Sequence, residues 1–450
     1  MDREPDLNNI KATGIALLAT LLVSGAQAQT IPGADGIEAR VLDNGLKVII
    51  WPDHDIPNVA LYNWIRAGGR NEYPGITGIA HYFEHMMFNG TTTHPPGDFD
   101  RIMQANGGSN NAYTSNDVTV YTDWFPRSAL EVVIGLEADR MQNLDLDPEV
   151  VESERGVVYS ERRLRVDNSN AGRLQEQMSA TAYVAHPYQF PVIGWPSDIE
   201  SWTLEDLQQF YTTYYAPNNA TLLLVGDVTT EDGFALVEKY FGPIPAQQPP
   251  AALRTVEPEQ QGERRLQLQL PAQTPILQMV WHSGAAGDAM MPALDLLMAI
   301  LARGDSSRLH RLLVEQEQAA IDIGYYVHEG FDPGLTWLSA VLPQGGDLAR
   351  TESLIDQAIA DVIDNGVSDA EVQKAKNLWL AGFWRAMATI DGKADWLGTY
   401  EVFHDDYRKL FDAPAQYQAV TAEQIRAAAA AILRPTNRTV GSVIPAGEGA

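Results

Sequence analysis

Two hydrophobic periods alternate along the chain. Apolar–polar alternation of period two marks strands with one buried face, and apolar positions recurring every three to four residues mark helices. Within residues 38–51, two β-rich runs flank Asn44-Gly45, a pair that favours the tight turn of a hairpin. Residues 58–66 form a third strand, and residues 75–89 and 98–105 read as helices. Residues 110–125, rich in Thr, Val and Tyr, predict two strands. Helices are predicted over 129–144, 149–165 and 203–214, the last with Ser201 or Thr203 as its N-cap. A strand over 221–225 and a helix over 229–240 close this region. Hairpins and consecutive helices, without regular β-α-β alternation, predict an α+β fold.

The pattern runs through the chain twice. Thr203-Leu204-Glu205-Asp206-Leu207 matches Thr421-Ala422-Glu423-Gln424-Ile425 at an offset of 218, and Pro217, Asn219 and Thr221 match Pro435, Asn437 and Thr439 at the same offset. Asp147, Glu149 and Val150 match Asp369, Glu371 and Val372 at an offset of 222. Such a repeat predicts two related halves, residues 31–245 and 259–450, joined by a Pro-, Gln- and Ala-rich linker at 246–258. Asn219-Ala220-Thr221 and Asn437-Arg438-Thr439 fit the glycosylation pattern, but their equivalent places in the repeat point to a turn role.

His81-Tyr82-Phe83-Glu84-His85 carries the candidate chemistry. Residues four apart lie about 40° apart around a helix, so His81 and His85 address one space, and Glu84 faces it too. Two neutral imidazoles suit zinc, and a neighbouring carboxylate suits proton abstraction from zinc-bound water. A third ligand is sought in the acidic helix that follows. Glu154 and Glu161 are two turns apart and share a face, whereas Glu152 falls off it. At the second offset, Glu154 and Glu161 map to Lys376 and Phe383, and residues 293–302 of the second half contain no His. One metal site is therefore expected, in the first half.

These residues, with Asn111-Ala112-Tyr113-Thr114, Thr119, Tyr121, His186-Pro187-Tyr188, Gly194, the run Tyr215-Ala216-Pro217-Asn218-Asn219 and Val225-Gly226-Asp227, resemble the inverted-zincin peptidases of the pitrilysin and mitochondrial-processing-peptidase type. The resemblance extends over nearly all of the chain after residue 30. It implies mixed, largely antiparallel sheets backed by helices, the two halves forming half of a clam-shell chamber. It implies His81, His85 and Glu161 as ligands of one Zn²⁺, Glu84 as general base, and Glu154 as the carboxylate that tunes the site. Asn111, Ala112, Tyr113 and Thr114 are implied as a strand edge on which an unstructured peptide adds through main-chain hydrogen bonds.

The family also uses an Arg and a Tyr from the second half to contact substrate. Tyr325, after Gly324, matches that tyrosine, but Val314 stands where the arginine belongs, and Arg308 and Arg311 are out of register. The expectation is thus a zinc-bearing subunit whose homologous partner supplies the Arg/Tyr pair, with a homodimer as the second arrangement. The alternative class is a non-catalytic peptide-binding or assembly subunit.

Composition sets limits around this. A net charge of −28 argues against nucleic acid, whose phosphates need a basic surface. There is no Cys, so a metal must be held by nitrogen and oxygen. Residues 15–23 are apolar, and Ala26-Gln27-Ala28 reads as a signal-peptidase site with cleavage before Gln29, although the preceding segment is net negative. A periplasmic or secreted location follows, and no other segment predicts a membrane span.

Overall fold

The computed structural model of the chain describes residue 31 and residues 33–446; the leader expected over residues 1–28 lies outside them. Two sheets organise the described residues. The first contains β1 (Glu38–Val41), β2 (Lys47–Pro52), β3 (Asn58–Ile65), β4 (Ser109–Thr114), β5 (Thr119–Pro126) and β6 (Ala220–Gly226), in the order β1-β2-β6-β3-β5-β4. The second contains β7 (Arg264–Leu270), β8 (Ile276–His282), β9 (Asp322–Val327), β10 (Leu335–Val341) and β11 (Arg438–Pro445), in the order β7-β11-β8-β10-β9. Removing β1 makes the two orders identical, which is the structural form of the sequence repeat. Each sheet is antiparallel except for one parallel pair, β2 with β6 and β7 with β11. β6 is buried along its whole length, as its run Ala-Thr-Leu-Leu-Leu-Val-Gly requires of a central strand covered on both faces.

Helices cover one face of each sheet, and the predicted apolar stripes form these cores. The opposite faces are covered by exchange. The helix Asn170–Ala182, which lies between β5 and β6 of the first sheet in the chain, packs on β7, β8 and β11. The helix Ile390–Phe403, which lies between β10 and β11 of the second sheet in the chain, packs on β3 and β6. Each contact has a knob and a hole. A Cβ at Gly441 would lie 2.3 Å from Met178 Sδ, and one at Gly398 would lie 2.3 Å from the Trp64 ring. Leu174, Met178, Ile390 and Leu397 are buried there, each stabilising the chain by about 1.5–3 kcal/mol relative to exposure.

Asn219 and Asn437 do equivalent work in the two repeats. Asn219 Nδ2 donates to Arg66 O and Tyr214 O, and Asn437 Nδ2 to His282 O and Ile432 O. Each amide ties the end of a helix to the start of a central strand. Thr203, rather than Ser201, caps its helix, with Asp206 completing the capping box. The His81 helix is shorter than its pattern predicted, Ile79–Met86 in place of 75–89. Gly78, in the left-handed region, stops the helix from extending backward.

Candidate metal centre

The Ile79–Met86 helix is held at its N-terminal end by buried groups. Glu72 accepts hydrogen bonds from the Gly78 and Ala80 amides at 2.8 and 2.9 Å, supplying the acceptor that helix N-termini lack. Asp198 accepts from the Gly75 and Thr77 amides and the Thr77 hydroxyl. Gly78 and Gly194 touch. A Cβ on Gly78 would meet Ile193 O at 2.6 Å, and one on Gly194 would meet Thr77 O at 2.4 Å. Tyr82 Oη donates to Val151 O, joining this helix to the acidic helix Pro148–Arg162. Arg155 anchors that helix by donating to Trp202 O at 2.8 Å.

His81, His85 and Glu161 then converge, each offering one ligand atom, all within 4.8 Å of one another. Glu161 Oε2 lies 3.6 Å from His81 Nε2 and 3.3 Å from His85 Nε2. His85 Nδ1 donates to Glu154 Oε1 at 2.7 Å, which leaves the Nε2 lone pair for a metal. Glu152 points to solvent and pairs with Arg155. Glu161 Oε2 is buried without a hydrogen-bond donor. Two imidazole nitrogens and this unsaturated oxygen, with no fourth protein ligand, match the donor set of a catalytic zinc. Among the described residues no other His, Asp and Glu group of three meets the same geometry.

The electrostatics favour a cation. Burial, then the neighbouring His85, lowers His81 to about 4. Burial also opposes charge on His85, but its hydrogen bond to Glu154 and the nearby Glu161 carboxylate outweigh it and raise that imidazole to about 9. One imidazole of the pair therefore takes the proton, and metal binding must displace it. Glu154 is lowered by its hydrogen bond with His85. Burial pushes the Glu84 carboxyl up, opposed by the Thr114 hydroxyl, which donates to Glu84 Oε2 at 2.6 Å.

Thr114 ends β4, the edge strand of the first sheet. Asn111, Ala112, Tyr113 and Thr114 all lie on it, with alternating exposure. Ala112 faces the core beneath the His81 helix, and Tyr113 turns the other way, its ring 6.3 Å from Trp64. Tyr325 is not brought to the cluster. It pairs with Leu338 in the β9–β10 hairpin, at the register position that Ala112 holds in β4–β5. It lines a cavity of about 300 Å³ with Asp295, Ala299, Arg303 and Trp379. Val314 packs against the second core, and Arg308 is tied to Glu371 and Asp361.

Glu72, Asp198 and Arg165 belong to the centre but escape the motif. Arg165 Nε pairs with Glu161 Oε1 at 2.8 Å, and its only sequence signal is an i, i+4 spacing. Glu72 and Asp198 act through backbone amides six to 123 residues away and leave no local pattern.

Two family models match the chain: "Insulinase (Peptidase family M16)" over residues 47–194 and "Peptidase M16 inactive domain" over residues 201–378. A Helicobacter pylori protein named zinc protease PqqE is 31% identical over 414 residues, covering 88% of this chain and 92% of that one. YmxG of Bacillus subtilis, named an uncharacterized zinc protease, is 25% identical over 402 residues, covering 86% and 94%. Among solved structures, a protease from Helicobacter pylori has a TM-score of 0.88 at 28% identity, over 91% of this chain and 99% of that one. The periplasmic protease PqqL from Escherichia coli shares the fold, with a TM-score of 0.76 at 19% identity, over 93% of this chain and 48% of that one.

Proposed function

The chain belongs to peptidase family M16, and on that premise we propose that it is a zinc metallopeptidase acting on unstructured peptides. The observation that carries the proposal is the convergence of His81, His85 and Glu161 beside Glu84 and a free strand edge. The inactive-domain model starts at residue 201, beyond all of these residues.

A zinc ion held by the three ligands would supply Lewis acidity, polarising the scissile carbonyl and lowering the pKa of a water. Main-chain groups of Asn111–Thr114 bind the peptide as an added strand, which selects extended backbone over side-chain identity. Glu84, held by Thr114, accepts the proton of the attacking water and returns it to the leaving amine. Glu154 keeps the His85 ring in the orientation that binding needs.

The partner is a second homologous subunit that contributes the Arg/Tyr pair, with self-association as the second arrangement. Val314 and the placement of Tyr325 support this, as does the length of PqqL, about twice the matched stretch. A periplasmic or secreted location accords with PqqL, itself a periplasmic protease. No helix among the described residues is long and apolar enough to cross a membrane.

The test is Glu84→Gln. The variant is expected to keep stoichiometric zinc and to lose hydrolysis of a quenched fluorescent peptide by a factor of about 10²–10⁴. Unchanged turnover would remove Glu84 from the mechanism. Full activity of the purified wild-type chain as a monomer would remove the partner.

A further inference from the structure

Glu161 divides its two oxygens between two tasks. Oε2 points at the imidazoles and has no donor. Oε1 forms an ion pair with Arg165 Nε at 2.8 Å. The carboxylate side chain is only 16% exposed, whereas the guanidinium that holds it is 71% exposed. Arg165 does not continue the helix Pro148–Arg162. It sits in a π-helical turn, Arg163–Asp167, that follows the helix at once. Such turns change the direction in which side chains leave the axis. The arrangement parallels Glu154, which holds Nδ1 of His85 and leaves Nε2 free.

Resting on the assignment of His81, His85 and Glu161 as a metal site, we infer that Arg165 is a positioning residue that holds Glu161 with Oε2 turned toward the metal. Its charge and its hold on Oε1 have opposite consequences. A guanidinium beside a divalent cation repels it, so removing charge alone tightens metal binding. Removing a group that orients a ligand weakens it. The sign of the change therefore separates the two.

The test is zinc affinity of the full chain, measured by competition with a chromophoric chelator, which needs no catalysis. Arg165→Ala is expected to weaken zinc binding about threefold to tenfold, below the usual cost of losing such a partner because the pair is solvent-screened. Arg165→Gln, which keeps a polar nitrogen at the Nε position without the charge, is expected to recover part of that loss. Arg163→Ala, on the same turn but stacked on Tyr159, serves as the control and is expected to bind zinc as the wild type does. Unchanged or tighter binding in Arg165→Ala overturns the inference. So does an Arg165→Gln variant as weak as the alanine, or an equal loss in Arg163→Ala. If zinc binds as described but no peptide is cut, the proposed function fails and the role of Arg165 stands.

Discussion

The helix Ile79–Met86 and the helix Met291–Ala302 occupy the same place in two copies of one topology, each between the second and third strands, in chain order, of the shared set. The first presents His81, Glu84 and His85. The second is buried at nearly every position, with Leu294, Leu296, Leu297 and Met298 almost wholly inside. Asp295 and Ala299, four apart like the two histidines, face a small cavity beside Tyr325 and Trp379. Tyr417 donates to Asp295, so even this acid is engaged. The scaffold alone therefore confers no metal site. A few side chains do, and where they are absent the same surface becomes packing.

That contrast breaks first at the ligands. His85→Ala is expected to abolish stoichiometric zinc and reduce peptide hydrolysis to background, whereas Ala299→His should add no second zinc by elemental analysis, having no counterpart of Glu161. The second half should answer in stability instead. Leu297→Ala is expected to cost about 2–5 kcal/mol in denaturant unfolding and leave zinc content unchanged. An intermediate case is Glu154→Ala, which touches His85 but not the metal. Its expected cost is about 10–100-fold in zinc affinity by chelator competition.

The smallest effect lies where the two repeats meet. His186, then Arg70, holds the Asp332 carboxyl down to about 2, against its partial burial. A folded value below the unfolded value, about 3.9, stabilises the chain above that value. The contribution is lost as pH falls from about 4 toward 2. Asp332→Asn should therefore cost about 1 kcal/mol or less near neutral pH, and its deficit against the wild type should shrink over that acid window. Unfolding of the zinc-free chain at several pH values measures it.

Much of the centre was legible because its spacing is local. His81, His85, Glu154 and Glu161 lie on two helices, and helical geometry alone puts each pair on one face. A strand was legible at Asn111–Thr114 from its composition, but its place at the sheet's edge came from the family resemblance. Glu72 and Asp198 were not, because a carboxylate serving distant amides has no periodicity. Tyr325 shows what a pattern leaves out: Gly324-Tyr325 matched the family, but only strand register tells that the ring holds the counterpart of the Ala112 position. The crossing helices were hidden because an apolar stripe tells which face is covered, not which sheet covers it.

That crossing makes each repeat an incomplete object. A fragment cut within the Pro-rich connector would retain every proposed ligand yet leave Trp64, Ala60 and Val225 bare where Ile390–Phe403 belongs. Its mate would lack the cover that Leu174 and Met178 give Val280 and Val443. The smallest autonomous piece of this molecule is both repeats together, and shortening it to a minimal enzyme would yield an aggregate.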